Sequence, residues 1–282
     1  MSQETITYLT NIVIGLILAC LMTHSWLRHA GSRTHFFWML GAWVMTVADV
    51  LFAIRPVLPL WADKLVPTLL VTVGHGVLLL AAQSTAGLRL GRRVGVLVLA
   101  VHAAVLTAIF LEGNPGNLRM ITNGLIWGGI SVASALCLRR GPSPYWNSFF
   151  APSTVFFAHA IFHAGRVVLA AIFDLLRLEG ANDALSLVGD LEVSFFMVGL
   201  FVGLLVADLQ KRNNELTAAL AEVKTLSGLL PICAWCKKVR DDDGYWKQVE
   251  DFIRSRSEVE FTHSICAECA SKLVPDDTLQ EE

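Results

Sequence analysis

Seven runs of roughly 20 apolar residues, each the length an α-helix needs to cross the hydrocarbon core of a bilayer, leave this chain few folds to choose from. They occupy residues 6–27, 36–54, 65–87, 94–111, 118–138, 149–176 and 185–207. Inside a bilayer the backbone has no water to bond, so each run must be helical. The connections are short, which predicts one up-and-down bundle. Composition agrees: 54% of the 282 residues are hydrophobic and only 16% are charged, too apolar for an ordinary soluble domain. The first run lacks a basic start and a small-residue cleavage site, so it reads as a retained helix rather than a secretory signal.

Charge orients the bundle. Arg28, Arg33, Arg89, Arg92, Arg93, Arg139, Arg140, Lys211 and Arg212 lie in alternate connections or just past the seventh run. The opposite side holds Arg55, Lys64, Arg119 and Arg177, together with Glu4, Asp63, Glu112, Asp174, Glu179 and Asp183. Lys and Arg concentrate in cytoplasmic connections, so the N-terminus is expected outside and the C-terminus in the cytoplasm. An odd number of spans requires the same. Trp38, Trp43, Trp61, Trp127, Tyr145 and Trp146 fall mainly toward helix ends and are expected as anchors among the lipid headgroups.

Beyond residue 207 charged residues become dense. Leu209, Leu216, Val223 and Leu230 repeat every seven residues, with Leu220 and Leu226 nearby and polar residues between. The pattern predicts that the seventh helix continues into a short parallel coiled coil, and hence a homodimer. The competing reading is one amphipathic helix lying against a neighbour. The expected organisation is a seven-helix transmembrane domain over 1–207, a coiled-coil linker over 208–230, a small zinc-stapled α+β module over 231–275 and a disordered tail over 276–282.

The zinc expectation rests on Cys233 and Cys236, then Cys266 and Cys269 after a gap of 29 residues. Each Cys-x-x-Cys knuckle turns two thiolates toward one ion, and two knuckles complete the closed tetrahedron of a structural zinc site. His263 is an alternative fourth ligand. A redox pair wants a thioredoxin-type strand and helix around it, and a catalytic zinc wants an open position and a base; neither is present in the sequence. A module this small cannot build a sufficient apolar core, so the metal supplies what the core lacks. Trp235, Tyr245, Trp246, Phe252 and Phe261 are expected around it, with a turn at 241–244 and a short helix over 246–254. Lys237, Lys238 and Arg240 are offset by Asp241, Asp242 and Asp243, so no nucleic-acid partner is expected. Cys20 and Cys137 lie alone in apolar runs, which argues against a disulfide framework.

Ionisable side chains within a span are costly and point to function when they face the bundle interior. Asp49, His75, His102, His159, His163, Arg166, Asp190 and Glu192 all fall within spans. His159 and His163 are four apart and share a helix face. Together with His75 or His102 they would hold a haem or a metal ion, or, with Asp49, Arg166, Asp190 and Glu192, form a ligand- or proton-sensing pocket. The plain alternative is polar contact between helices. No Lys lies in any span, which excludes a retinal Schiff base. His24, His29 and His35, around the first connection, are expected to reflect interface preference. No phosphate loop, nucleophile elbow or pair of broken helices stands out.

Two stretches carry a resemblance. The segment EVKTLSGLLPICAWCKKVRDDDGYWKQVEDFI, followed by EFTHSICAECASKLVPD, resembles a small tail module of bacterial signalling proteins that follows a sensor domain or a receiver domain and a helical linker. The stretches FFWMLGAWVMTVADVLFAIRPVLP and APSTVFFAHAIFHAGRVVLAAIF, with Arg166 in the sixth span, resemble the seven-helix input regions that precede GGDEF domains in membrane diguanylate cyclases. This chain carries no GGDEF, kinase or phosphatase sequence. The resemblance therefore implies a non-enzymatic receptor of a bacterial cytoplasmic (inner) membrane. Its bundle would pass a stimulus through the coiled coil to the zinc module, which would engage a cytosolic signalling protein. The alternative is a membrane haem- or metal-binding redox protein that uses His75, His159 and His163.

Overall fold

The structure is a computed structural model and describes residues 3–89, 91–113, 116–176, 181–227, 231–241, 243–255 and 260–273. Seven long helices follow in order: α1 (Gln3–Arg28), α2 (Arg33–Ala53), α3 (Leu60–Thr85), α4 (Arg92–Leu111), α5 (Gly116–Leu138), α6 (Pro152–Leu175) and α7 (Ala181–Ser227). All seven are long and apolar enough to cross a membrane, which marks a multi-pass membrane protein. They coincide with the seven apolar runs. The sixth helix begins later than its run, since Phe149 and Phe150 lie exposed before it and Pro152 opens it. Proline has no N–H to donate and fits the first turn, where that donor would be idle.

Six helices close a ring. Helix α1 packs on α2, α2 on α3, α3 on α5 and α5 on α6. Helix α7 completes it, with Phe196 against Phe156 of α6 and hydrogen bonds to Tyr8 and Asn11 of α1. The core shared by these helices includes Met45, Leu78, Phe156, Leu200 and Phe201. Helix α4 stands outside against α3 and α5. Only 17% of its apolar window is buried, against 50% for α3, and Val94, Val96, Leu97 and Val101 face outward. Small residues let the ring close tightly. A Cβ on Gly128 would lie 3.3 Å from the His163 Cβ, and one on Gly124 would lie 2.7 Å from Val167 Cγ2.

Three tryptophans expected at the membrane interface instead tie helices together. Trp38, 4% exposed, donates its indole N–H to Thr85 Oγ1 at 3.1 Å. Trp43 donates to Thr23 Oγ1 at 3.0 Å, and Trp127 to Thr72 Oγ1 at 2.9 Å. A threonine one helix away satisfies the single polar atom of each ring, which removes the reason for it to seek the headgroup layer.

The chain divides into two compact units, Met1–Asn214 and Glu215–Glu282. The second contains a hairpin, β1 (Val239–Arg240) antiparallel to β2 (Trp246–Lys247), then α8 (Val249–Arg254) and α9 (Ala267–Leu273). The turn expected at 241–244 forms: Gly244 adopts φ 89° and its N–H donates to the Asp241 carbonyl at 3.0 Å. The expected helix over 246–254 is shorter, because Trp246 belongs to β2. The expected aromatic core does not form. Trp235, Tyr245 and Trp246 are 95%, 71% and 49% exposed, Phe261 is half-buried, and among these aromatics only Phe252 is buried. Strands of two residues and a helix of six offer no face broad enough to cover five rings.

Helix α7 crosses the division between the units. Its 47 residues form one helix about 70 Å long. Within it Leu209, Leu216 and Leu220 are 65%, 60% and 55% exposed. Leu230, the side chains of Val223 and Leu226, and the tail over 276–282 lie outside the described residues.

Candidate functional site

A cavity of about 450 Å³ lies inside the ring, in the half of the bundle where α1, α3, α5 and α7 begin. Every ring helix lines it and α4 does not. Its ionisable lining includes Arg55, Arg119 and Arg166 together with Asp49, Asp63 and Asp190. Tyr8 Oη donates to Asp190 Oδ2 at 2.9 Å, Asn11 Nδ2 donates to the Asp190 carbonyl at 3.0 Å, and Ser194 Oγ donates to Asn11 Oδ1. The Arg166 guanidinium lies against Gly189, where an added Cβ would come within 2.5 Å of Nη2. Asp190 and Glu192 are its counter-charges.

The deep end of the cavity is a histidine cluster. His75, His159 and His163 are 2%, 3% and 3% exposed. Phe196 stacks on the His159 ring at 3.9 Å between centroids, and His75 lies parallel to both Phe196 and Trp127. Spacing of four on α6 brings His159 and His163 edge to face at 4.5 Å. Each of His159, His163 and Glu192 offers a ligand atom within 4.8 Å of the other two.

Hydrogen positions in this cluster follow by elimination. His75 Nδ1 faces the Val71 carbonyl at 2.9 Å, so it carries the proton and Nε2 is a bare acceptor. His159 Nε2, 3.0 Å away, must then donate. A neutral His159 ring would leave Nδ1 bare, yet Nδ1 faces Glu192 Oε1 at 2.7 Å. Two bare acceptors at that distance repel, so a proton lies between them. Among the described residues, Glu192 Oε2, His163 Nδ1 and Arg166 Nε are buried with no hydrogen-bond partner.

His102 is not part of the cluster. Its Nε2 donates to Asn123 Oδ1 at 3.0 Å and its Nδ1 accepts from Thr72 Oγ1 at 2.8 Å, a fully satisfied neutral ring that fastens α4 to α3 and α5. His75 Nε2 and His159 Nε2 face each other at 3.0 Å across α3 and α6.

The cavity uses residues that the sequence reading passed over. No sequence signal falls on Tyr8 or Asn11, Arg119 counts only among the outer-side cations, and Trp127 is expected as a headgroup anchor. The pair Gly124 and Gly128 was the available signal that α5 approaches α6 closely. At the opposite end of the bundle His29 and His35 are not interface ornaments. Their rings stack at 4.1 Å beside Asp208, and Arg212 donates to both His29 Nε2 and Asp208 Oδ2. A guanidinium thus already occupies that cluster.

In the second unit each knuckle has the hydrogen bonding of a thiolate site. The backbone N–H groups of Cys236 and Trp235, then the Cys236 thiol, hold the Cys233 thiol below its ordinary range. The Cys269 backbone N–H and thiol do the same for Cys266. Lys237 takes φ 60°, its N–H donating to the Cys233 carbonyl at 3.0 Å, while Cys233 N–H donates to the Lys238 carbonyl at 2.8 Å. Donors aimed at sulfur fit a metal-bound thiolate. His263 is exposed. No protein-family model, no curated protein and no solved structure matches this chain.

Proposed function

We propose that the protein is a membrane receptor. The cavity takes up a small polar or charged stimulus from outside the cell, and α7 carries the response to a zinc-binding output module in the cytoplasm of a bacterium. One observation carries the reading. The helix that contributes Asp190 and Phe196 to the cavity wall is the same unbroken helix that presents Leu209, Leu216 and Leu220 to its surroundings beyond the bundle. Such a receptor relays a shift or rotation of α7 at the cavity along that helix. The exposed leucines form the seam of a parallel homodimer. Cys233, Cys236, Cys266 and Cys269 hold a structural zinc ion, with His263 as the alternative ligand, and the module it folds engages a cytosolic signalling protein. A ligand needs only a few kcal/mol of differential affinity for two bundle states to drive such a relay.

The test is disulfide cross-linking in native membranes. Leu216→Cys or Leu220→Cys should join two copies, and an exposed position half a turn away, such as Ala218→Cys, should not. A four-residue insertion after Asn213 should abolish any stimulus-dependent change in cross-linking below it. Equal cross-linking around the whole helix would sink the dimer relay.

A further inference from the structure

The geometry points to a binding site for one divalent first-row transition ion, of the zinc class, on His159, His163 and Glu192 inside the bundle. It deepens the receptor reading, on which its role as the stimulus rests, by naming the class of ligand that the cavity admits.

The proton count makes the first argument. His159 Nδ1 and Glu192 Oε1, 2.7 Å apart, share a proton, and a metal ion, with ligand atoms about 2.0–2.2 Å from it, takes that proton's place once the pair opens to about 3 Å or more. A proton there satisfies two atoms and leaves His163 Nδ1 and Glu192 Oε2 buried without partners. A metal ion bound by the same groups takes the His159 nitrogen, the carboxylate and a His163 nitrogen together, and these groups already lie within 4.8 Å of one another. Every histidine in the cluster is then neutral. His159 Nε2 keeps its proton for His75, and His75 Nδ1 keeps its proton for Val71.

The surroundings make the second. A metal-bound histidine is held by a hydrogen bond from its other nitrogen, and the bond from His159 to His75 supplies it. Phe196 fixes the ring plane from one face. Two imidazoles and one carboxylate form a borderline-hard set suited to zinc, cobalt or iron(II), with a fourth position left open. The cavity that His159 and His163 line supplies both that open position and a route of entry, past Asp49, Asp63 and Asp190. Arg166, one turn beyond His163, is turned against Gly189 with Asp190 as its first counter-charge, so its guanidinium does not occupy the site.

The experiment uses the full chain in detergent, stripped of metal and titrated with Co²⁺ and Zn²⁺. A variant with all four tail cysteines changed to Ser silences the tail. It should still take up one equivalent per chain, and its Co²⁺ spectrum should lack sulfur-to-metal charge transfer. His163→Ala and Glu192→Gln, made in that background, should each weaken binding about 10-fold to 100-fold or more. X-ray absorption of zinc in the unmutated chain at two equivalents should show an imidazole-containing shell beside the sulfur shell, a reading that needs no variant to fold. Uptake of one equivalent only, on sulfur, or equally tight binding by the two variants, would overturn the site. Binding on the stated ligands with unchanged cross-linking at Leu216→Cys would uphold the site and remove the receptor reading instead.

Discussion

At the scale of single residues, the site depends on positions where size rather than chemistry decides. Gly189 is one: its missing Cβ is the space the Arg166 guanidinium occupies. There the guanidinium can swing aside, but a Cβ on Gly203 would lie 2.5 Å from the Phe150 carbonyl oxygen, a backbone atom, so Gly203→Ala should cost about 1–3 kcal/mol as an overpacked core, visible as a lower Tm in detergent. Gly165→Ala, in the same ring of helices but with nothing within 4 Å of the new Cβ, should be neutral or slightly stabilising. Equal Tm values for the two variants would contradict the packing argument. The histidines of this site were legible in the sequence, because a spacing of four on an apolar helix places two of them on one face. Gly189, Asn11 and Trp127 were not, since their roles come from α6, α7 and α3, which no local pattern brings near. The knuckle thiols permit a second test. With Cys233 and Cys266 held below the ordinary thiol range by backbone N–H groups, their alkylation in metal-free protein should reach its half-maximal rate at a lower pH than that of an unperturbed cysteine peptide. A lowered value means more thiolate at neutral pH, so the rate rises earlier on the pH scale. A half-maximal pH equal to or above that of the peptide would count against the donors described.

At the scale of elements, hydropathy is enough to find the helices and silent about their neighbours. All seven apolar runs are helices here, because a run of that length and composition has no other way to satisfy its backbone in a bilayer. That α4 stands outside a ring of six was not legible. Its sequence is as apolar as the rest, and the difference lies in the few polar groups that reach across. His102 is the chief of these, bonded to Thr72 on α3 and Asn123 on α5. His102→Leu removes both bonds and leaves two polar groups facing an apolar chain, a cost of about 1–3 kcal/mol. Because the ring closes without α4, the loss should be local. Hydrogen exchange should quicken in residues 92–111 while the ring helices keep their protection. Uniform acceleration across all seven helices would mean that α4 is part of the core after all. The extension of α7 was legible for the opposite reason, since a seven-residue repeat continuing an apolar span requires only that one helix does not stop.

At the scale of the whole molecule, the two units rest on different sources of stability. The bundle buries Leu78, Phe156, Leu200 and Phe201 almost completely and has seven long helices to share them. The second unit buries two large hydrophobic side chains among its described residues, Val239 and Phe252. Burying such a side chain contributes about 1.5–3 kcal/mol, while fixing the backbone of each residue costs about 1–2 kcal/mol. Two buried side chains cannot offset the ordering of some forty residues. Something outside the apolar core must hold the hairpin, α8 and α9 in place, and four cysteines in two knuckles are the candidate. Chelation should therefore unfold the second unit alone. With a strong zinc chelator, limited proteolysis should cut between residues 231 and 273, the tryptophan fluorescence contributed by Trp235 and Trp246 should change, and far-UV circular dichroism should lose only a small part of its helical signal. Zinc should restore protection, and Cys266→Ser should reproduce the chelated pattern without any chelator. A second unit that resists protease after its metal is removed would show that the hairpin and its exposed aromatics stand unaided, and the zinc reading of the cysteines would then lose its physical basis.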